Sequence, residues 1–276
     1  MPDSEVRGLK RFLAMLLVLL AAFPALAGEN GEAAGESSYL SWFYKDTAAM
    51  LSSPASGDGA YWGKAALTVV AAAAFYNSDE EIRERFSAKH SRRLDELAKA
   101  GELMGNGRFL LPAMGAVWAG GWAFESDYTT ETVKLAFEAA VISAVGVQVV
   151  KLSTHRHRPF NEDGPYEWDG PDFANSSKDS FPSGHSAGAF SVAAVIANRY
   201  GTDNWWTAPL IYSVALITPL SRVYDDKHWA SDAFAGAAIG YFTGKAIASY
   251  HPGGEGITFH PQLTEQGPML AFTARF

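Results

Sequence analysis

The stretch from Ser221 to Asp232 places an arginine, a histidine and an aspartate just ahead of a long Ala/Gly-rich apolar run. A short carboxylate, Asp225 or Asp226, can cap a helix there by accepting from the free amides of a first turn. A helix begun at that point sets His228 and Asp232 at i and i+4, on one face. A carboxylate so placed accepts from one ring nitrogen and leaves the other pointing outward as a nucleophile or base. Arg222, just before the helix, offers a planar cation that can hold an anion against that nitrogen. A histidine and an aspartate one turn apart are equally what a surface pair looks like, so other stretches must decide.

Two do. In Lys151-Leu-Ser-Thr-His-Arg-His-Arg158-Pro159 a lysine closes a helical pattern and Arg158 follows seven positions on, held before a proline. Arg158 is a rigid fork for two oxygens of an anion and Lys151 a point charge, although basic residues at a helix end also satisfy free carbonyls. In Ser180-Phe181-Pro182-Ser183-Gly184-His185-Ser186 a Pro-Ser pair opens a helix whose free amides form an anion site. Gly184 lets its amide approach a bound group, and His185 projects from the first turn, placed to give or take a proton. Together the stretches supply three fixed cations, a set of amides, a nucleophile with an orienting carboxylate, and a second histidine. That inventory fits phosphoryl transfer, which needs neutralised equatorial oxygens, in-line attack and a proton for the leaving oxygen. The cations and amides can do this without a metal, and HExxH, EF-hand and Walker A signatures are absent. No metal or cofactor is expected.

The elements that must position these residues read as helices. Tyr39 to Met50 suggests a short first helix, ended by a Ser/Pro/Gly stretch. Ala65 to Phe75 suits a buried helix. Asp79 to Ala98 reads as a single amphipathic surface helix, with Ile82, Phe86, Leu94 and Leu97 at helical spacing. Phe109 to Phe124 is uncharged, and Thr129 to Lys151 is a long helical pattern. Residues 160–180 form a long acidic loop rich in Gly and Pro, of a length that usually serves a site. Gly184 to Tyr200 is a helix stopped by Gly201, and Trp205 to Leu220 leads into the opening stretch. Gly236, Gly240 and Gly244 recur every fourth position from Asp232 to Tyr250, a row that lets a neighbouring helix approach closely. At the C-terminus Ile257 to Leu263 and Pro268 to Phe276 alternate like two strands; one hairpin cannot close a membrane barrel, so a packed hairpin is expected.

Composition excludes other classes. The 276 residues carry a net charge of -8 with no basic block, which argues against nucleic-acid binding. Cysteine is absent, ruling out disulfides and thiolate sites. Arg7, Lys10 and Arg11 precede an apolar run from Phe12 to Phe23 and then Ala25-Leu26-Ala27, the pattern of a secretory signal cut after Ala27. The expected layout is a signal peptide (1–27), a leader with a first short helix (28–60), a helical domain (61–252) and a hairpin tail (253–276). The expected place is the periplasm or cell envelope, the alternative being an integral inner-membrane protein with its site facing the periplasm. Mean hydropathy is -0.05, low for a multi-span protein, which favours a soluble or membrane-associated domain over an integral one.

In order, Lys-x6-Arg-Pro, Pro-Ser-Gly-His and Ser-Arg-x5-His-x3-Asp resemble the superfamily of type 2 phosphatidic acid phosphatases, bacterial class A acid phosphatases and vanadium haloperoxidases. The three motifs match in full between Lys151 and Asp232. The resemblance implies an all-α bundle with the motifs converging at one end. It implies that His228 attacks phosphorus to form a phosphohistidine, oriented by Asp232. His185 would protonate the leaving oxygen and later activate water. Lys151, Arg158 and Arg222 would bind the phosphate oxygens, helped by Ser183 and the Gly184 amide. The wording of the second and third motifs is nearest the lipid-directed bacterial branch, which makes a phosphorylated lipid the expected substrate. A non-specific soluble acid phosphomonoesterase, a vanadate-dependent haloperoxidase and a non-catalytic envelope protein are the competing readings.

Overall fold

A computed structural model gives the architecture. It describes residues 39–171, 179–201 and 204–251, and the backbone of two further strands, 256–264 and 267–275. The expected signal peptide and the leader to residue 38 lie outside the described residues. Among these residues the chain forms nine α-helices: α1 (Tyr39–Ser56), α2 (Gly59–Asn77), α3 (Asp79–Ser87), α4 (Arg92–Gly105), α5 (Gly107–Ala123), α6 (Asp127–Thr154), α7 (Gly184–Tyr200), α8 (Thr207–Tyr224) and α9 (Ala230–Tyr250). Strands β1 (Gly256–Thr264) and β2 (Gly267–Arg275) pair antiparallel as a hairpin, with Phe259 opposite Phe272. An all-α bundle with a C-terminal hairpin is the observed class.

The bundle is organised around α9. Its glycine row faces the backbone of α7. A Cβ on Gly240 would lie 2.1 Å from the Ala187 carbonyl, and one on Gly244 would lie 2.3 Å from that of Ser191. Only hydrogen fits at these positions, so the two helices meet backbone to backbone. The buried layer between α6, α7 and α9 is correspondingly fine-grained, with Ala139, Ala187, Ala235 and Ala246 beside Leu135, Val195 and Ile247.

Two sequence expectations fail. Asp79 to Ala98 is two helices, because Ser91 accepts from the Leu94 amide and starts α4 afresh after a turn at residues 88–90. The Ala/Val run in α2 is not buried throughout: Leu67 and Val70 are 70% and 65% exposed. They belong to a wider set of bare apolar side chains that includes Val117, Trp122, Val145 and Trp205, each more than half exposed. Composition cannot show this, since a helix apolar all round reads alike whether it faces a core or a lipid phase. Among the described helices α6 alone has the length and hydropathy to cross a membrane, and 44% of its most apolar window is buried within the protein.

Candidate active site

The polar residues of the three stretches gather where the C-terminal end of α6, the start of α7 and the α8–α9 connection meet. Lys151, in the last turn of α6, donates to the Asp179 carbonyl at 2.5 Å, and Arg158 donates to the same oxygen at 3.2 Å. Two cations thus converge on one point. Ser183 caps α7, its hydroxyl accepting from the Ser186 amide and hydroxyl, which leaves its own proton to donate outward. Gly184 and His185 are the first residues of the helix, their amides in the unpaired first turn. Gly236 positions this cap: a Cβ there would sit 2.2 Å from the Ser183 carbonyl.

Arg222 is in the last turn of α8 rather than ahead of a helix. It is buried and held by Asp225 at 2.6 Å, with Glu102 3.7 Å away. The helix expected from Asp225 begins only at Ala230, so His228 lies in the connection and not on a helix face. Asp226 adopts a left-handed conformation there (φ 57°) and receives a two-pronged bond from Arg83, which pins the turn. The amides of Lys227 and His228 both donate to the Arg222 carbonyl, and the Trp229 indole donates to the His157 carbonyl. These bonds fix the backbone on either side of a buried imidazole.

Asp232 does not sit as the i, i+4 argument expects. His228 Nδ1 is 4.0 Å from it, ion-pair range but beyond a hydrogen bond. Its oxygens are already engaged by Arg156 at 2.5 Å, by the Ser180 hydroxyl at 2.5 Å and by the Trp229 amide at 3.0 Å. The reason is that Asp232 falls at the third position of α9, where a carboxylate folds back onto the helix start.

This exposes what the sequence reading missed. Arg156 is wholly buried, paired with Asp79 at 2.8 Å as well as Asp232, and stacked near Tyr76, Trp168 and Trp229. Ser231 closes the network by donating its hydroxyl to Asp79. Arg156 lies inside the basic stretch, but nothing there distinguishes it from its neighbours; its acid partner stands in another helix far upstream. Asp179, which organises the two cations and lies 2.6 Å from His155 Nδ1, sits in the acidic loop and carries no motif.

The histidines share one electrostatic environment. Burial, then the cations Lys151 and Arg158, hold the His228 imidazole well below its ordinary range. Burial, then Arg222, push His185 down to about 4. Each imidazole also keeps a buried nitrogen, His185 Nε2 and His228 Nδ1, with no hydrogen-bond partner among the described residues. Two imidazoles with open nitrogens beside Lys151, Arg158 and Arg222 are an arrangement that an incoming oxyanion would complete.

The PAP2 superfamily model matches residues 132–254 of the chain. The chain is 30% identical over 182 residues to the Lipid A 1-phosphatase of Porphyromonas gingivalis, an alignment covering 64% of this chain and 36% of that protein. It therefore spans about a third of the length of the curated relative it matches. Among solved structures it is similar to a transmembrane PAP2-type phosphatidylglycerolphosphate phosphatase from Bacillus subtilis (20% identity, 66% of this chain and 90% of that one, TM-score 0.46). It is also similar to LpxE from Aquifex aeolicus (24% identity, 60% and 92%, TM-score 0.45).

Proposed function

We propose that this protein is a membrane-associated phosphatase that hydrolyses a lipid phosphate ester or diphosphate through a phosphohistidine. The observation that carries the reading is the meeting of Lys151, Arg158, His185, Arg222 and His228, drawn from three separated stretches, around one cradle.

In this reading Lys151, Arg158 and Arg222 take the phosphate oxygens, with Ser183 and the Gly184 amide on the remaining side. A neutral His228 nitrogen attacks phosphorus; the P–N bond forms as the P–O bond to the lipid breaks. His185 gives a proton to the leaving oxygen. Bound phosphate supplies the negative charge that raises His185 from its low resting value, so the proton arrives with the substrate. A water, losing its proton to His185, then attacks the phosphohistidine and releases phosphate. Asp232 orients His228 once the ring moves by about 1 Å to close the gap to hydrogen-bond range.

The lipid preference rests on an apolar groove of about 590 Å³ between α4, α5, α7 and α8, lined by residues such as Met104, Leu110, Ile196, Leu210 and Val214. Its α4 end adjoins Gly105, which packs against His185 so closely that a Cβ would lie 2.6 Å from its carbonyl. An acyl chain of a bound lipid would lie in this groove, beside the helix start that carries His185. The bare apolar side chains of α2, α5, α6 and α8 suit a lipid surface. The periplasmic placement rests on the signal-like N-terminus.

The test is a substrate panel in mixed micelles. Phosphatidate and polyprenyl diphosphate should be turned over at higher kcat/KM than p-nitrophenyl phosphate. Equal turnover of all three would favour the non-specific phosphomonoesterase. Halide oxidation on adding vanadate, in place of inhibition, would favour the haloperoxidase.

A further inference from the structure

A second polar cluster lies away from the cradle. Asp46 of α1, Glu138 of α6 and His251 at the end of α9 each turn one donor atom toward the others, all within 4.8 Å. Glu138 and Lys151 share α6, and thirteen residues at 1.5 Å per residue set the cluster about 20 Å from the phosphate site.

Glu138 is fully buried, and neither of its oxygens has a hydrogen-bond partner among the described residues. The group it faces is another carboxylate, Asp46, itself 6% exposed. His251 Nε2 is 2.8 Å from Asp46 Oδ2, and its ring is fixed by stacking on Trp42 at 4.3 Å. Arg199, the cation nearest in the chain of contacts, is occupied: it bonds the His251 carbonyl, Thr132 and Glu131. The neighbouring Tyr250 hydroxyl is also buried without a partner. Two buried carboxylates side by side need a shared proton or a cation between them.

We propose that Asp46, Glu138 and His251 bind one divalent transition-metal ion of the zinc type. One imidazole and two carboxylates suit Zn²⁺, Mn²⁺ or Co²⁺, whereas Mg²⁺ and Ca²⁺ favour oxygen-only sets. Bond lengths of about 2.0–2.2 Å put tetrahedral donors about 3.3 Å apart, so the three side chains need only close in slightly. The ion's role is structural: it ties the first helix to α6 and to the end of α9, holding together elements distant in sequence. It takes no part in the phosphatase chemistry, and the inference stands whether or not that reading holds.

The experiment uses the full chain in detergent, stripped with chelator and titrated with Zn²⁺, Co²⁺ and, for comparison, Mg²⁺. Expected are one Zn²⁺ per chain, visible d–d bands with Co²⁺, and no response to Mg²⁺. The Tm should rise by about 5–10 °C at a Zn²⁺ concentration 100-fold over Kd. Glu138→Gln should weaken binding at least tenfold and lower the Tm of the zinc-loaded protein; Asp46→Asn and His251→Gln should do the same, and His90→Ala should not. Far-UV circular dichroism and size-exclusion chromatography report the fold of each variant. Should Glu138→Gln fold poorly, the other two variants and the wild-type titration decide. The proposal is overturned if the wild type binds no Zn²⁺, if Glu138→Gln binds it equally well, or if that variant raises the Tm in Zn²⁺. The last result would show that Glu138 is simply a strained buried acid.

Discussion

Gly236→Ala tests how packing sets the active site. The added methyl would lie 2.2 Å from the Ser183 carbonyl oxygen and 3.0 Å from its carbon. Ordinary contact begins near 3.4 Å, so α9 and the start of α7 must separate by about 1 Å. Alanine gains about 1 kcal/mol in helix propensity over glycine, while overpacking costs about 1–3 kcal/mol. Here the obstacle is backbone, which yields least, so the upper end applies and the net loss is about 1–2 kcal/mol. For a domain of this size that lowers Tm by about 2–8 °C. Ser183, Gly184 and His185 move with the cap, and a displacement of 1 Å can cost about 100-fold in rate. The matched control is Gly115→Ala in α5, where a Cβ meets nothing within 4 Å. That change should raise Tm by about 2–4 °C and leave turnover alone. The assay is kcat/KM with thermal melting on both variants. Wild-type activity and an unchanged or higher Tm for Gly236→Ala would refute the reasoning.

Other outcomes follow from the same geometry. Between pH 4 and 6.5 the unfolded chain binds a proton that folded His185 refuses, so that share of stability is complete above pH 6.5 and fades as pH falls through that window, and the lowered His228 acts in the same direction. Conversely, inorganic phosphate binding at pH 6 should take up protons, measured by calorimetry in buffers of different ionisation enthalpy, and the uptake should shrink in His185→Gln. Arg156→Met leaves Asp79 and Asp232 buried without their shared cation and should cost about 3–5 kcal/mol, read by denaturant unfolding. Val214→Trp, which fills the apolar groove, should reduce kcat/KM for long-chain substrates while sparing p-nitrophenyl phosphate. In the wild type each added methylene within the groove should raise kcat/KM up to about fourfold, from about 0.8 kcal/mol per buried CH₂.

The helices and the cradle residues were legible because each leaves a local signature. The glycine row in α9 announced a close neighbour, and α7 occupies that place. Lys151 and Ser183 announced helix ends, and each stands at one, whereas Arg222, expected just ahead of a helix, lies in the last turn of α8. Three things were not local. Whether His228 stood inside a helix depended on where Arg83 would pin Asp226, a contact between remote segments. The helix-face placement of Asp232 against His228 did not hold, because spacing alone cannot tell a carboxylate aimed at i-4 from one folded back on its helix start. Arg156 and Asp79 were invisible because a buried ion pair is defined by two positions that say nothing separately. The Asp46–Glu138–His251 cluster is of the same kind, assembled from two helices and the residue that follows a third.

In the proposed mechanism a ring nitrogen of His228 takes the phosphoryl group. The direct measurement is a rapid neutral quench of turnover on a lipid phosphate, followed by mass spectrometry under conditions that preserve P–N bonds. A single phosphoryl group on His228, absent in His228→Ala and accumulating in His185→Gln with a good leaving group, is the result expected. Steady turnover with no phosphate on His228, or with phosphate on another residue, would contradict it.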